Sequence, residues 1–253
     1  MSTTVEIDVR PDADAVMRAG AELIVATAAS AVRATGRFAI ALSGGSTPRT
    51  LYTLLATPPF AARIEWPAVD VFWGDERGVP PEDAASNYRM AREALLAHVA
   101  VAATRVHRIR GEDPPEQAAA DYERELRVAF ATPSGPPRTV AGARFDLILL
   151  GMGDNGHTVS LFPHSPALDE RGRWAVADRV DATPSSRVTL TVPVINAAAL
   201  AVFLVAGADK ASMLHRVLEG PREPAALPAQ LVAPSDGRVR WIVDAAAAAQ
   251  LRR

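Results

Sequence analysis

Phe145-Asp146-Leu147-Ile148-Leu149-Leu150 runs directly into Gly151–Pro163, GMGDNGHTVSLFP. The first stretch is the short apolar run that a buried strand needs, and the second is a Gly-rich turn carrying a histidine. Gly151, Gly153 and Gly156 spell G-x-G-x-x-G, the spacing that lets a backbone approach a dinucleotide pyrophosphate at a helix start. That reading also requires a βαβ unit and an acid about 20 residues on, at the end of the next strand. Here the chain soon reaches Leu161-Phe162-Pro163-His164, so any helix is short. Glu170, near the right distance, falls in the polar stretch LDERGR instead of at a strand end. The context speaks against a dinucleotide loop and leaves a turn that presents His157.

Working outward, short apolar runs alternate with helical patterns, which argues for βα units and a mostly parallel, Rossmann-like sheet flanked by helices. The expected class is α/β, as one domain over residues 1–253. Strands are expected at Val5–Val9, Phe38–Leu42, Val69–Trp73, Val106–Ile109, Phe145–Leu150, Trp174–Val180, Val188–Val192, Ala201–Val205 and Val239–Val243. Helices are expected at Asp12–Ala34, Thr47–Leu55, Ser86–Val99, Pro115–Phe130, Asp209–Leu218 and Asp244–Leu251. Pro48 reads as a first-turn proline just after a Ser/Thr cap, and Thr132–Gly142 reads as a surface loop. Ligands of open α/β sheets bind beyond the carboxyl ends of the strands, so the polar residues there are the candidates.

Composition narrows the partners. The 253 residues are 49% hydrophobic and 22% charged with a net charge of −2, which favours neither nucleic acid nor an anionic membrane. There is no cysteine, so a disulfide framework and a thiolate zinc site are excluded. The start, MSTTVEIDVRPDADAV, lacks a basic segment followed by an apolar one, and no apolar run reaches ~18 residues. A cytoplasmic location is expected, with no nucleic-acid or membrane partner. Of the 27 cationic residues only Lys210 is lysine, against a background that favours arginine. That singles out Lys210 as a position needing a compact ammonium.

Four clusters carry the candidate chemistry. Ser43-Gly44-Gly45-Ser46-Thr47 follows the Phe38–Leu42 strand and opens a helix, so free N–H groups and hydroxyls can hold a phosphate or a sugar. It lacks the lysine of a Walker A loop. Asp75 and Arg77 end the Val69–Trp73 strand in WGDER, where an acid and a base can orient a substrate or tune a histidine. His157 is the one histidine in a Gly-rich turn, and an imidazole with a pKa near 6.5 suits a general base. Arg187 and Lys210 lie beside turns at strand ends, and together would suit a phosphate.

These blocks together resemble the 6-phosphogluconolactonase family. The resemblance rests on LSGGSTP at 42–48, FWGDERGVP with SNY within 72–88, LLGMGDNGHTVSLFP at 149–163, RVTLTVPVIN at 187–196 and VAGADK at 205–210. It implies hydrolysis of 6-phospho-D-glucono-1,5-lactone to 6-phosphogluconate, in the pentose phosphate pathway, without metal or other cofactor. It implies a fold shared with glucosamine-6-phosphate deaminases and ribose-5-phosphate isomerases, in a monomer or weak homodimer. His157 is then the expected general base, with Asp75 and Arg77 as its catalytic neighbours. Ser43, Gly44, Gly45, Ser46, Thr47, Arg187 and Lys210 are expected on the 6-phosphate, with Gly153, Asn155 and Gly156 shaping the loop. The family commonly carries Asp where this chain has Asn155, so a carboxylate is missing beside the histidine, and Asp75 or Asp154 is expected to compensate. Val159, where the family has a small alanine, is expected to alter packing only. Deaminases of this fold place a glutamate five residues after the histidine; the matching residue here is Phe162, which cannot move a proton.

Overall fold

The structure is a computed structural model and describes residues 4–131, 142–179 and 186–252. Among the described residues nine strands form two sheets: β1 (Thr4–Arg10), β2 (Phe38–Leu42), β3 (Val69–Trp73), β4 (Asp75–Arg77), β5 (Leu147–Leu150), β6 (Ala175–Asp178), β7 (Arg187–Leu190), β8 (Leu200–Val205) and β9 (Arg238–Asp244). The helices are α1 (Ala13–Thr35), α2 (Ser46–Leu55), α3 (Pro58–Ala61), α4 (Asn87–Ala94), α5 (Pro115–Ala129), α6 (Val192–Ile195) and α7 (Ala211–Glu219). The larger sheet is entirely parallel, in the order β1-β9-β8-β5-β2-β3. The α/β class with a mostly parallel, helix-flanked sheet is therefore as expected.

Strands β2, β3, β5 and β8 are continuous apolar runs because they are buried on both faces, with Asp70 of the edge strand β3 as the exception. FAIAL of β2, VDVFW of β3, LILL of β5 and LAVFLV of β8 are buried at every position. Helix α1 starts on Asp12, whose carboxylate accepts from Ala15 N–H at 2.8 Å, and stops at Gly36 in the left-handed region. It is long and apolar enough to cross a membrane. Its buried side, Val16, Gly20, Ile24, Ala28 and Ala31, recurs at helical spacing and packs on β9, β2 and β8.

The strand order places the site. The chain leaves β2 for β3 on one side, whereas β5 pairs with the other side of β2 and leads on to β8 and β9. The order thus reverses between β2 and β5, and a crevice opens beyond their carboxyl ends. Two buried tyrosines hold neighbouring strand ends. Tyr52 hydroxyl accepts from Ser43 N–H and donates to Ser43 C=O, and Tyr122 does the same for Trp73. Gly74 then stitches in the second, antiparallel sheet, ordered β4-β7-β6. Its N–H donates to Leu42 C=O at 2.8 Å and its C=O accepts from Leu190 N–H at 2.9 Å.

Several expected elements differ. Val106–Ile109 is not a strand; Val106 makes only an isolated parallel bridge to Val71 beyond the β3 edge. Of the expected Asp244–Leu251 helix, Asp244 ends β9 and residues 245–250 are turns, with the Asp244 carboxylate accepting from Gly207 N–H and Ala247 N–H. The Ser86–Val99 helix covers Asn87–Ala94, with the Ser86 hydroxyl as its cap. Pro48 does not follow a Ser/Thr cap: Gly45 caps α2, with no side-chain bond. Residues 132–141 of the expected surface loop, and Val180 of the Trp174–Val180 strand, lie outside the described residues.

Candidate active site

One cleft of about 440 Å³ lies beyond the carboxyl ends of β2, β3, β5 and β8. Ser43, Gly44, Gly45, Ser46, Thr47, Asp75, Arg77, Gly153, His157, Arg187 and Lys210 all line it. Asn155 and Gly156 do not, and they support the histidine from behind.

The floor of the cleft is the start of α2. Gly45 has φ +105°, a conformation that favours glycine, and the first turn of the helix leaves N–H groups without intrahelical partners. Gly44 is glycine for a different reason: a Cβ there would lie 1.9 Å from the Asn87 side-chain oxygen. Asn87 is thus packed against the loop, and its amide donates to the Asp75 backbone oxygen at 2.9 Å and carboxylate at 3.3 Å.

Asp75 is only 6% exposed, and Ser160 hydroxyl donates to its other oxygen at 2.6 Å. Next to it, buried Glu76 accepts from Arg77, Asn87 and Tyr88 N–H at 2.7–2.8 Å and from Ser86 hydroxyl at 3.1 Å. That carboxylate ties β4 to the start of α4, where a negative charge is favourable. Burial pushes its pKa up, against the opposing pull of those N–H groups. Ser160, Asn87 and Glu76 are the positioning residues that sequence reasoning did not select. All three stand in the quoted motifs, but nothing in the sequence pairs Ser160 with Asp75.

Arg77 and Arg187 are register partners on β4 and β7. Two like charges directly opposed on antiparallel strands destabilise a sheet unless an anion answers them. Arg77 donates to Ala85 C=O at 2.8 Å and to the Asn87 side-chain oxygen. Among the described residues Arg187 makes no ion pair, and both arginines bury an Nε without a partner. Lys210, on the turn after β8, is paired with the exposed carboxylate of Asp154.

His157 stands on a closed turn. Gly153 N–H donates to His157 C=O at 2.9 Å, Gly156 N–H donates to Gly153 C=O at 3.0 Å, and Gly156 has φ +79°. A Cβ on Gly153 would lie 2.1 Å from Nδ1 and Cε1, so the ring rests on bare backbone. Phe162 packs on the ring with centroids 4.4 Å apart. Asn155 Oδ1 lies 2.6 Å from Nδ1 and 3.2 Å from the His157 N–H. Burial holds the imidazole below its ordinary pKa; Asp75 and Asp154 pull it up, while Arg187 and Lys210 push it down. The compensation expected from Asp75 and Asp154 is thus present in direction but does not win. Val159, expected only to alter packing, lines the cleft with φ 45°, an unfavourable conformation for a β-branched residue.

No group of three or more His, Cys, Asp or Glu that could hold a metal ion is found among the described residues. The arrangement offers a partly buried imidazole held below its ordinary pKa, a fixed carboxylate and a set of anion-seeking donors around one cavity.

A family model described as glucosamine-6-phosphate isomerases/6-phosphogluconolactonase matches residues 11–241. The 6-phosphogluconolactonase of Nostoc sp. (strain PCC 7120 / SAG 25.82 / UTEX 2576) is 41% identical over 246 residues, covering 97% of this chain and 98% of that one. The solved structure of 6-phosphogluconolactonase from Trypanosoma cruzi superposes with a TM-score of 0.85 at 28% identity, covering 100% of this chain and 99% of that one. A monomeric glucosamine-6-phosphate deaminase shares the fold, with a TM-score of 0.78 at 19% identity over 98% of this chain and 100% of that one. On the family match and the high-coverage identity, this chain belongs to the 6-phosphogluconolactonase family.

Proposed function

We propose that this protein hydrolyses 6-phospho-D-glucono-1,5-lactone to 6-phosphogluconate, with His157 as the general base. The observation that carries the reading is the convergence of His157, Asp75, Arg187, Lys210 and the Ser43–Thr47 helix start on one cleft. His157 takes a proton from a water, and the resulting hydroxide attacks the lactone carbonyl. The tetrahedral oxyanion collapses, the ring C–O bond breaks, and the proton passes to the leaving ring oxygen. A pKa held below the ordinary histidine value keeps the base unprotonated at neutral pH.

The 6-phosphate is remote from the bond that breaks, so its contacts serve to orient the carbonyl. The Ser43–Thr47 donors, Arg187 and Lys210 are assigned to that phosphate, and Asp75 with Arg77 to the polar frame around the base. Phe162 argues against amino-sugar deamination, because an apolar ring packed against His157 stands where a deaminase of this fold has its proton-moving carboxylate. The reading includes a cytoplasmic setting, no cofactor, and a monomer or weak homodimer.

The test is a lactonase assay on freshly generated 6-phosphogluconolactone, corrected for spontaneous hydrolysis, with glucosamine 6-phosphate run in parallel. Turnover of the lactone alone is the expected result. Release of ammonia from the amino sugar with no lactonase activity would reverse the assignment.

A further inference from the structure

The Asn155 amide faces His157 at two points, and that double contact settles which atom points at the ring. The His157 backbone N–H lies 3.2 Å from Oδ1, and a backbone N–H can only donate. The facing atom is therefore the oxygen rather than the NH2 group, which resolves the usual ambiguity of an amide flip. The same oxygen lies 2.6 Å from Nδ1, so Nδ1 must be the donor. A neutral imidazole carries one N–H, which leaves Nε2 with its lone pair free.

We propose that Asn155 is a positioning residue that locks His157 in the Nδ1–H tautomer, leaving Nε2 free as the proton acceptor while adding no charge to the site. The inference rests on the reading of His157 as the base, and goes beyond it by assigning the tautomer and its cause. A carboxylate at this position would supply the same acceptor together with a full negative charge 2.6 Å from the ring. The groups that face the ring from the packed elements are Asp75 on β4, Arg187 on β7, Lys210 beyond β8 and Asp154 on the same loop, with Phe162 over its face. Two anions and two cations there leave the balance open to one further charge. Asparagine keeps the tautomer and leaves the base easily deprotonated, so the acid limb of activity lies at lower pH than a carboxylate would allow.

The experiment pairs 15N NMR of the His157 ring with pH profiles of kcat/KM in wild type, Asn155→Asp and Asn155→Ala. Peptide mass checks that Asn155, followed by Gly156, has not deamidated to Asp in the wild-type sample. The wild-type ring is expected as the Nδ1–H tautomer. Asn155→Asp should keep that tautomer while raising the ring pKa and the acid limb together by about one pH unit or more. Asn155→Ala should give mixed tautomers and lower kcat about tenfold, the weight of one hydrogen bond, with KM little changed. A wild-type ring protonated at Nε2 overturns the proposal, as does an Asn155→Ala ring with an unaltered tautomer. An Asn155→Asp acid limb that stays in place while the ring pKa moves also overturns it. If His157→Ala retains turnover, the base assignment fails separately, because the NMR arm does not depend on activity.

Discussion

His157 and His107 are both partly buried, yet their neighbours drive them in opposite directions. His107 lies beside the edge strand β3, where its backbone N–H donates to Val71 C=O at 2.8 Å, and it is not among the residues that line the cleft. Its Nδ1 meets Glu125 at 2.8 Å and its Nε2 faces Asp70 at 3.6 Å, while Phe72 stacks on the ring at 4.4 Å. Burial pulls its pKa down, but the two carboxylates outweigh burial and hold it above the ordinary value. Arg37 and Arg105 complete that network on Asp70. His157 has a neutral amide where His107 has a carboxylate, and there burial wins. The two imidazoles are thus shifted in opposite directions, His107 upward by its two carboxylates and His157 downward by burial that no carboxylate on its ring nitrogens offsets.

The comparison breaks most visibly in activity. His157→Ala should lower kcat on the phosphorylated lactone by roughly 10²–10⁴ while leaving the fold intact; near-wild-type turnover with unchanged circular dichroism would remove the proposed base. His107→Gln, by contrast, should leave kcat close to wild type.

Next in size is the phosphate contact. Lys210→Ala should raise KM tens- to hundredfold, as expected from ~1.5–3 kcal/mol for a charged hydrogen bond, with kcat held. An unchanged Michaelis constant would take Lys210 out of the anion site. Arg187→Ala should act in the same sense, since its guanidinium makes no ion pair among the described residues.

The smallest effect is the most direct test of the contrast, because it reads stability as a function of pH. The folded pKa of His107 lies above its unfolded value, so its contribution is fully present below about pH 6.5 and fades as pH rises through the folded value. His107→Gln should therefore lower Tm by about 2–4 °C near pH 6 and by less at higher pH. The folded pKa of His157 lies below its unfolded value, so this residue costs stability as pH falls through about 6.5. His157→Gln should gain relative to wild type as the solution is acidified. Calorimetry across that range decides the matter: parallel slopes for the two variants would show that the two sites do not differ as described.

Much of the fold was legible because its strands are simple. FAIAL and LILL are apolar throughout and VDVFW is so but for Asp70, and a strand of a parallel sheet buried on both faces leaves just that trace. β4 left none, because Asp75-Glu76-Arg77 is polar and becomes a strand only by pairing with β7. The alanine-rich end misled in the other direction. Its composition favours a helix, but so short a segment depends on tertiary contacts, and residues 245–250 are turns.

The site was legible in part for a similar reason. Gly-rich turns and polar residues after strands announce themselves, and apart from Asn155 and Gly156 the expected residues line one cleft. The anchors of Asp75 did not, because Ser160 and Asn87 reach it across separate elements.

The sequence by itself determined the alternation of strands and helices, the family, and the kinds of side chain available for chemistry. Each of these is a property of residue identity and local spacing. The tertiary structure alone decided in which direction each histidine's pKa moves, which nitrogen of His157 is free, and that Arg187 and Lys210 share a cleft with the Ser43–Thr47 loop. Those properties depend on burial and on distances through space, and neither is written in the order of residues along the chain.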